Sequence, residues 1–141
     1  MKSVILAFAV GTCSLASPGT SDTVNSIYWS DGDSGRIDGT DFRLADVDAP
    51  ETGGVGAAIG GAECEREREQ GFEAKAFMVE LTKGADLEVT NKQAPDRYGR
   101  IVLSLSAGGR DVAAAGLDAG MLRPWPHRGG RALTDKPDWC A

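Results

Sequence analysis

The chain has 141 residues, the length of a single domain with one modest hydrophobic core. Its composition, 41% hydrophobic and 26% charged residues, is typical of a soluble globular protein and excludes a disordered chain. The formal net charge of -6 argues against attraction of membranes or nucleic acid by the whole surface, so a polyanionic ligand must meet a local group of cations.

The first sixteen residues have the features of a secretory signal peptide. One positive charge precedes an apolar run from Val4 to Val10, and Ser14 and Ala16 have the spacing of a small-x-small cleavage site. The run is too short to span a bilayer. We therefore expect a secreted or periplasmic protein with no stable membrane span. Two alternatives stay open: residues 1–16 as a buried first strand, and a lipoprotein acylated at Cys13, which the preceding Thr12 disfavours.

Three cysteines occur in the chain. Cleavage after residue 16 would remove Cys13 and leave Cys64 and Cys140 as an even pair in an oxidising compartment, as expected of one disulfide. Closing a loop of this length stabilises a protein by about 4 kcal/mol in the chain-entropy model. The alternative is a pair of separate buried thiols, which says nothing about the compartment.

Short strands and a loop are predicted for the first half of the remaining chain. Residues 24–47 alternate between strand-like segments and two Asp-Gly turns, Asp31-Gly32 and Asp38-Gly39. The next segment, TGGVGAAIGG at residues 52–61, is a glycine-rich loop, because so many glycines cannot hold regular structure by their own propensity. We call it the glycine-rich loop below.

A long helix is predicted from about Glu63 to Lys83, and Gly84 supplies its stop. Glutamate is interleaved with lysine and arginine there, so the outer face is expected to be solvated. Apolar residues recur at three- and four-residue spacings: Phe72, Ala76, Val79, Met78 and Leu81.

Two strands, a short helix and a tail follow. Residues 86–90 and 100–107 are predicted strands, and residues 110–120 a short helix closed by Gly120. The tail, residues 126–141, is predicted to be irregular because its prolines prevent helix formation. Several twisted strands with one long and one short helix predict an α+β protein with a small closed β-barrel.

Four common kinds of site are excluded by the residues available. GDSG at residues 32–35 has the form of a serine-protease nucleophile, but the single histidine, His127, lies in a proline-flanked tail. A calcium-binding EF-hand loop starting at Asp31 would have Arg36 in place of the required glycine and Phe42 in place of the bidentate glutamate. One histidine also excludes paired-histidine chemistry, and with so few cysteines it excludes a four-ligand zinc site.

Carboxylates in two segments are candidate ligands or bases. The segment FRLADVDAPET, residues 42–52, places Asp48 and Glu51 on either side of Pro50, which restricts the backbone between them. Asp33 precedes this segment by one short hairpin. These hard oxygen ligands suit Ca²⁺ or Mg²⁺ and can act near neutral pH without a histidine.

Two arginines complete the set of candidate groups. The guanidinium groups of Arg43 and Arg100 are permanently charged and match phosphate oxygens in a bidentate way. Phosphoryl transfer requires chiefly positioning and charge neutralisation, which arginines and a metal ion supply. Each residue alone is more often a turn residue or a surface charge, and only the combination indicates a phosphodiester site.

The motifs together resemble the staphylococcal nuclease (thermonuclease) family from about Val24 to Trp125. They are DGDS, FRLADVDAPET, GFEAKAFM, DRYGR and GGRDVAAAGLDAG, in the family's order. The resemblance implies a five-stranded OB-type β-barrel with about three helices. It also implies calcium-dependent hydrolysis of DNA and RNA, with products that carry a 3′-phosphate.

The resemblance also implies roles for individual residues. Asp33 and Asp48 match the calcium-binding carboxylates, and the carbonyl of Ala49 completes the protein ligands. Glu51 matches the residue that orients or deprotonates the attacking water.

The cationic residues are assigned in the same way. Arg43 matches the arginine bound to the scissile phosphate, and Arg100 the one that stabilises the pentavalent phosphorus and the leaving oxygen. Arg97 and Tyr98 lie where the family contacts a terminal phosphate.

The chain departs from the family pattern around this set. Ser34 replaces a threonine, Asp38 and Asp41 make the neighbouring hairpin acidic, and the tail with a Cys64–Cys140 bridge resembles a secreted bacterial subgroup. We predict residues 1–16 as the signal, 24–125 as the nuclease-like domain and 126–141 as the tail of a monomer. Two functions stay open: a nuclease, and a non-catalytic OB-barrel module that binds single-stranded nucleic acid or another anionic ligand.

Overall fold

The structure, a computed structural model, describes residues 21–141. The predicted signal peptide, residues 1–16 with Cys13, lies outside the described residues and stays a prediction. The two helices described are α1 (Glu65–Thr82) and α2 (Val112–Asp118), and neither is long and apolar enough to cross a bilayer. The strands are β1 (Asp22–Val24), β2 (Ile27–Trp29), β3 (Ser34–Ile37), β4 (Thr40–Leu44), β5 (Val47–Asp48), β6 (Leu87–Lys92), β7 (Ile101–Ala107), β8 (Arg110–Asp111), β9 (Arg123–Pro124), β10 (His127–Arg128) and β11 (Arg131–Ala132).

Seven strands form one mixed sheet. Its order is β1-β6-β7-β4-β3-β2, with β8 paired to β7, and only the β4–β7 pair is parallel. This sheet with its helices confirms the predicted α+β, OB-like fold. Within residues 21–141 it differs in detail, since the hydrogen-bonded strands form an open path and not a five-stranded ring, and two helices are present instead of about three.

A bend at Asn25-Ser26 separates the strands at the two ends of this path, β1 and β2. The Asp38 carboxylate accepts hydrogen bonds from the backbone N–H groups of Asn25 (3.1 Å) and Ser26 (2.9 Å). Asp38 itself lies in the predicted Asp-Gly turn between β3 and β4, with φ of 46°, and Gly39 follows with φ of 81°. One side chain of this turn therefore stabilises a bend that splits one strand into two.

Strand β4 has one face in the hydrophobic core and one face toward the candidate site. Phe42 and Leu44 are fully buried, and Trp29 packs edge-to-face on Phe42 with ring centres 5.3 Å apart. The neighbouring strand β7 adds Leu103 to the same core. Arg43 lies between the two buried residues of β4, so its side chain leaves the opposite face, because successive residues of a strand point to opposite sides of the sheet.

Helix α1 has nearly the predicted bounds, but a different face is buried. Met78 is buried as the spacing predicts, whereas Phe72 and Val79 of the predicted apolar stripe are exposed. A Cβ atom on Gly71 would lie only 2.3 Å from the carbonyl oxygen of Glu51. The helix therefore packs its small residues against the backbone that follows β5, and this contact sets its rotation.

The tail contains no helix among its described residues, as predicted, but it is not wholly irregular. Within it β10 and β11 form a small hairpin. Just before it, β9 pairs with β5, which places Arg123 opposite Asp48. The predicted disulfide between Cys64 and Cys140 is confirmed, with an S–S distance of 2.02 Å. Cys64 is also the N-cap of α1, so the bridge attaches the end of the chain to the start of the long helix.

Candidate active site

Asp33 lies in the turn between β2 and β3 and is buried. The Asp31 carboxylate accepts hydrogen bonds from the backbone N–H groups of Asp33 (3.1 Å) and Ser34 (2.8 Å), which stabilises the turn. Oδ2 of Asp33 accepts the backbone N–H of Ala49 at 3.0 Å. Burial, and then the charge of Asp31, raise the pKa of Asp33 well above its ordinary value, while Arg43 opposes the increase.

Asp48 lies in β5 and is 2% exposed. Its Oδ2 accepts a hydrogen bond from the indole N–H of Trp139 at 2.8 Å. Burial raises the pKa of Asp48, and the hydrogen bond from Trp139 and the charges of Lys136 and Arg43 oppose the increase. Burial therefore disfavours the charged form of both Asp33 and Asp48, and an added cation would favour it.

Arg43 connects these two acids. Its Nη2 lies 3.5 Å from Oδ2 of Asp33 and 3.8 Å from Oδ1 of Asp48. The same nitrogen donates a hydrogen bond to the Val47 carbonyl at 3.0 Å, and the guanidinium lies 5.0 Å from the ring centre of Trp125. Since one nitrogen lies near both carboxylates, the structure brings Asp33 and Asp48 together.

Glu51 follows Pro50 at the start of the glycine-rich loop. Its Oε1 lies 3.2 Å from the Lys136 ammonium, and burial raises its pKa while Lys136 opposes the increase. The backbone N–H of Glu51 donates to Oε1 of Glu67 at 3.2 Å, and the N–H of Glu63 donates to Oε2 of the same carboxylate at 2.7 Å. Glu67 therefore attaches both ends of the loop to α1.

Arg100 follows a turn that Asp96 stabilises. Oδ1 of Asp96 accepts the backbone N–H groups of Tyr98 (2.9 Å) and Arg100 (3.0 Å), and Oδ2 accepts the Arg100 Nε–H (2.8 Å). Arg97 and Tyr98 are exposed at the tip of the turn, with the Arg97 guanidinium 4.8 Å from the Tyr98 ring centre. The Asp96 pairing leaves the other nitrogens of the Arg100 guanidinium for a ligand.

A cleft of about 500 Å³ brings the two predicted catalytic arginines to one surface. Arg43 and Arg100 both line it, together with the rings of Tyr98, Trp125 and His127. The three candidate acids do not line the cleft. Arg43 therefore belongs to both parts of the site, because it contacts Asp33 and Asp48 and also faces the cleft.

The candidate metal ligands offer oxygen donors of the kind that calcium prefers. Asp33 and Asp48 supply buried carboxylate oxygens, the preferred donors of Ca²⁺, and the Ala49 carbonyl is adjacent in sequence. Among residues 21–141, Arg43 alone lies within salt-bridge distance of both acids, and Lys136 lies 4.0 Å from Oδ1 of Asp48. When Asp33, Asp48 and Glu51 are all ionised, these three carboxylates carry one more charge than the two cationic side chains beside them. The excess negative charge favours a cation at this place.

One other acidic group has ligand atoms in close proximity. Among residues 21–141, the potential ligand atoms of Glu63, Asp138 and Cys140 all lie within 4.8 Å of one another. The sulfur of Cys140 is committed to the disulfide, so it offers no thiolate. Asp33, Asp48 and Glu51 do not form such a group, and the carboxylate of Glu51 is paired with Lys136 instead.

The family model of staphylococcal nuclease homologues matches residues 41–127. The chain belongs to this family. No curated protein matches it. The part of the chain that matches the staphylococcal nuclease model contains Arg43, Asp48, Glu51 and Arg100, whereas Asp33 precedes it.

Four further residues belong to this site that the sequence patterns did not single out: Glu67, Trp125, Lys136 and Trp139. Glu67 is a glutamate in a helix rich in charges, where nothing local distinguishes it from its neighbours. Trp125 stands at the end of the region that resembles the nuclease family. Its position between two prolines is the one local feature that distinguishes it in the sequence. Lys136 and Trp139 lie beyond the matched segment of the nuclease family.

Proposed function

We propose that this protein is a calcium-dependent phosphodiesterase that hydrolyses DNA, RNA or both to products with a 3′-phosphate. The observation that carries the proposal is the position of Arg43 in this nuclease-family chain. Its guanidinium contacts both candidate metal ligands and lines one cleft with Arg100. A phosphate in the cleft would therefore lie beside two permanent cations, next to a place for a third.

The residues divide the work of phosphoryl transfer among them. Arg43 binds the scissile phosphate and neutralises its charge, and Arg100 stabilises the additional negative charge that develops on the phosphorus oxygens and on the leaving oxygen. Glu51 orients the attacking water and accepts its proton, which requires that its carboxylate leave Lys136. Because burial raises the pKa of Glu51, it is a stronger base than an exposed glutamate.

Asp33, Asp48 and the Ala49 carbonyl are the residues that would hold calcium. When bound, calcium supplies neutralisation of phosphate charge and a lower pKa of coordinated water. The backbone N–H of Ala49 donates to Asp33, which keeps this part of the ligand set in a fixed arrangement. Arg97 and Tyr98, which line the cleft and are exposed, would contact a terminal phosphate of the substrate.

The second candidate function is a non-catalytic module that binds single-stranded nucleic acid. The ion pair between Glu51 and Lys136 favours it, because the proposed base is occupied in this structure. The aromatic rings and arginines of the cleft suffice for binding alone. The two candidates differ in whether bound nucleic acid is cleaved.

A digestion assay separates these functions. Supercoiled plasmid and RNA are incubated with calcium or with a chelator, and the intact protein is compared with Arg43→Ala and Glu51→Ala. We expect calcium-dependent cleavage that falls by about two to three orders of magnitude in each variant. Arg36→Ala is the control, since Arg36 is exposed and pairs with Asp41 on the hairpin. Equal digestion by all four proteins would contradict the nuclease proposal, and binding without cleavage would favour the module.

We also propose that the protein is secreted or periplasmic and monomeric. The disulfide supports an oxidising compartment, because such bonds are rare where thiols are kept reduced. Fractionation of cells, followed by mass measurement of the recovered protein, tests this together with cleavage near residue 16. A cytoplasmic protein with both thiols free would contradict the compartment.

A further inference from the structure

The last residues of the chain reach the candidate acids from the opposite end of the sequence. We call residues 136–140 the C-terminal strap. Lys136 Nζ lies 3.2 Å from Oε1 of Glu51, and the indole N–H of Trp139 donates to Oδ2 of Asp48 at 2.8 Å. The disulfide of Cys140 anchors the strap to the N-cap of α1. Two different candidate acids thus receive a donor from one disulfide-bonded segment.

Trp139 is held in place on more than one side. It is buried, and the Arg123 guanidinium lies 4.1 Å from its ring centre. Arg123 also donates a hydrogen bond to the carbonyl of Asp138 at 2.6 Å, and its backbone pairs with Asp48 across β5 and β9. The indole N–H therefore binds Oδ2 of Asp48. The other oxygen, Oδ1, lies 3.8 Å from Nη2 of Arg43 and 4.0 Å from Nζ of Lys136.

Lys136 places a positive charge where a metal ion would bring its own. Its ammonium is within salt-bridge distance of both Glu51 and Asp48, and its side chain is 43% exposed. Such a side chain can turn toward solvent without breaking the core. Because like charges repel, the ammonium in its observed place would oppose the binding of a cation to Asp48.

We propose that the C-terminal strap is part of the calcium site, in which Trp139 is a positioning residue for Asp48 and Lys136 weakens calcium binding by placing its positive charge beside Asp48. This inference rests on the proposed function. It assigns to the two strap residues effects of opposite sign on one measurable quantity, the calcium dissociation constant. A merely structural strap would not produce opposite signs, since loss of either contact would only loosen the fold.

Calorimetric titration with calcium tests the proposal on the full-length oxidised protein. Trp139→Phe keeps most of the packing and removes the N–H donor, and we expect calcium binding at least tenfold weaker. Lys136→Gln removes the charge and keeps a polar side chain one atom shorter, and we expect binding about tenfold tighter. Lys83→Gln, which removes an equal charge from the exposed end of α1, is the matched control and should keep the wild-type value.

The outcomes separate this inference from the proposed function. Opposite shifts for Lys136→Gln and Trp139→Phe support the strap proposal, provided that thermal melting shows both variants folded. Should Trp139→Phe fail to fold, Lys136→Gln decides, because its side chain is partly exposed. An unchanged or weaker affinity in Lys136→Gln overturns the strap proposal while calcium-dependent digestion by the wild type still supports the nuclease. A wild-type protein that neither binds calcium nor cleaves nucleic acid overturns both.

Discussion

Glu67 is a buried carboxylate whose two oxygens have different backbone partners. Oε1 accepts the N–H of Glu51 and Oε2 the N–H of Glu63, so the two ends of the glycine-rich loop are attached to one side chain of α1. Glutamate can accept at both oxygens, whereas glutamine has only one acceptor oxygen. The identity of this residue therefore matters for the position of Glu51.

We expect Glu67→Gln to lower both stability and activity. One backbone N–H would lose its acceptor, which costs about 1–3 kcal/mol in a buried setting. Urea denaturation measures the stability, and initial rates of plasmid cleavage measure the loss of Glu51 positioning. Glu69→Gln, an exposed glutamate of the same helix, is the control and should change neither. Equal behaviour of the two variants would refute the role of Glu67.

Asp96 determines a pH dependence of stability. Burial raises its pKa, but hydrogen bonds from the Arg100 side chain and from the backbone N–H groups of Arg100 and Tyr98 outweigh burial, so the pKa is lowered. A lowered carboxyl pKa contributes stability above the unfolded value of about 3.9, and the contribution is lost as the pH falls through the folded value.

We therefore expect Asp96→Asn to be less stable than the wild type at neutral pH. The difference in the free energy of unfolding should shrink as the pH falls below about 3.9, where the unfolded chain takes up the proton first, and disappear once the folded carboxylate is protonated at lower pH. Urea denaturation of both proteins at several pH values gives the measurement. A difference that stays constant with pH would show that Asp96 acts by shape alone.

At the scale of elements, the close approach of α1 to the chain after β5 positions the candidate base. Gly71 makes this approach possible, because any side chain there would meet the carbonyl of Glu51. The glycine lowers helix propensity in the middle of α1, so its presence has a packing reason. Phe72 and Val79 are exposed because both lie about a quarter turn round the helix from Gly71, to the side of this contact.

Gly71→Ala tests this packing. The new Cβ would lie 2.3 Å from the Glu51 carbonyl oxygen, so the helix or the loop must move, and we expect a loss of about 1–3 kcal/mol together with lower activity. Gly54→Ala is the matched control, because a Cβ there meets no atom within 4 Å. Denaturation curves for the two variants give the comparison. A neutral Gly71→Ala would mean that the helix adjusts without effect on Glu51.

At the scale of the whole molecule, the disulfide joins segments 76 positions apart in sequence. It connects the start of α1 with the end of the strap, so it restricts the unfolded chain as well as the folded one. A domain of this size has a stability of only about 5–15 kcal/mol, of which one such bridge is a large part.

Replacing both cysteines by serine should lower the free energy of unfolding by about 2–5 kcal/mol. Serine at position 64 still offers an N-cap acceptor for α1, so the loss reports the bridge and not the cap. Denaturation with and without a reducing agent gives the measurement. The double variant should not respond to the reducing agent, and a wild type that does not respond either would contradict a stabilising bridge.

Much of the fold and part of the site could be predicted from local patterns. The Asp-Gly turns, the helix near residues 65–82 and the side of β4 from which Arg43 leaves all depend on residues within one turn or one strand. The buried face of α1 could not be predicted in this way, because it is set by contact with the backbone at Glu51, which lies outside the helix. Arg43 and the acids were recognised as a combination of residue types in order, which requires no knowledge of distances.

The sequence by itself determined the family, the long helix, most strands of the main sheet and the expected pairing of two cysteines, since short-range periodicity and residue order carry that information. The tertiary structure alone decided which residues distant in sequence contact the candidate acids. Trp139 and Lys136 are 91 and 85 positions from Asp48 and Glu51, their respective hydrogen-bond partners. Such contacts depend on the pairing of β5 with β9 and on the disulfide, and no local pattern specifies where a paired segment will place its side chains.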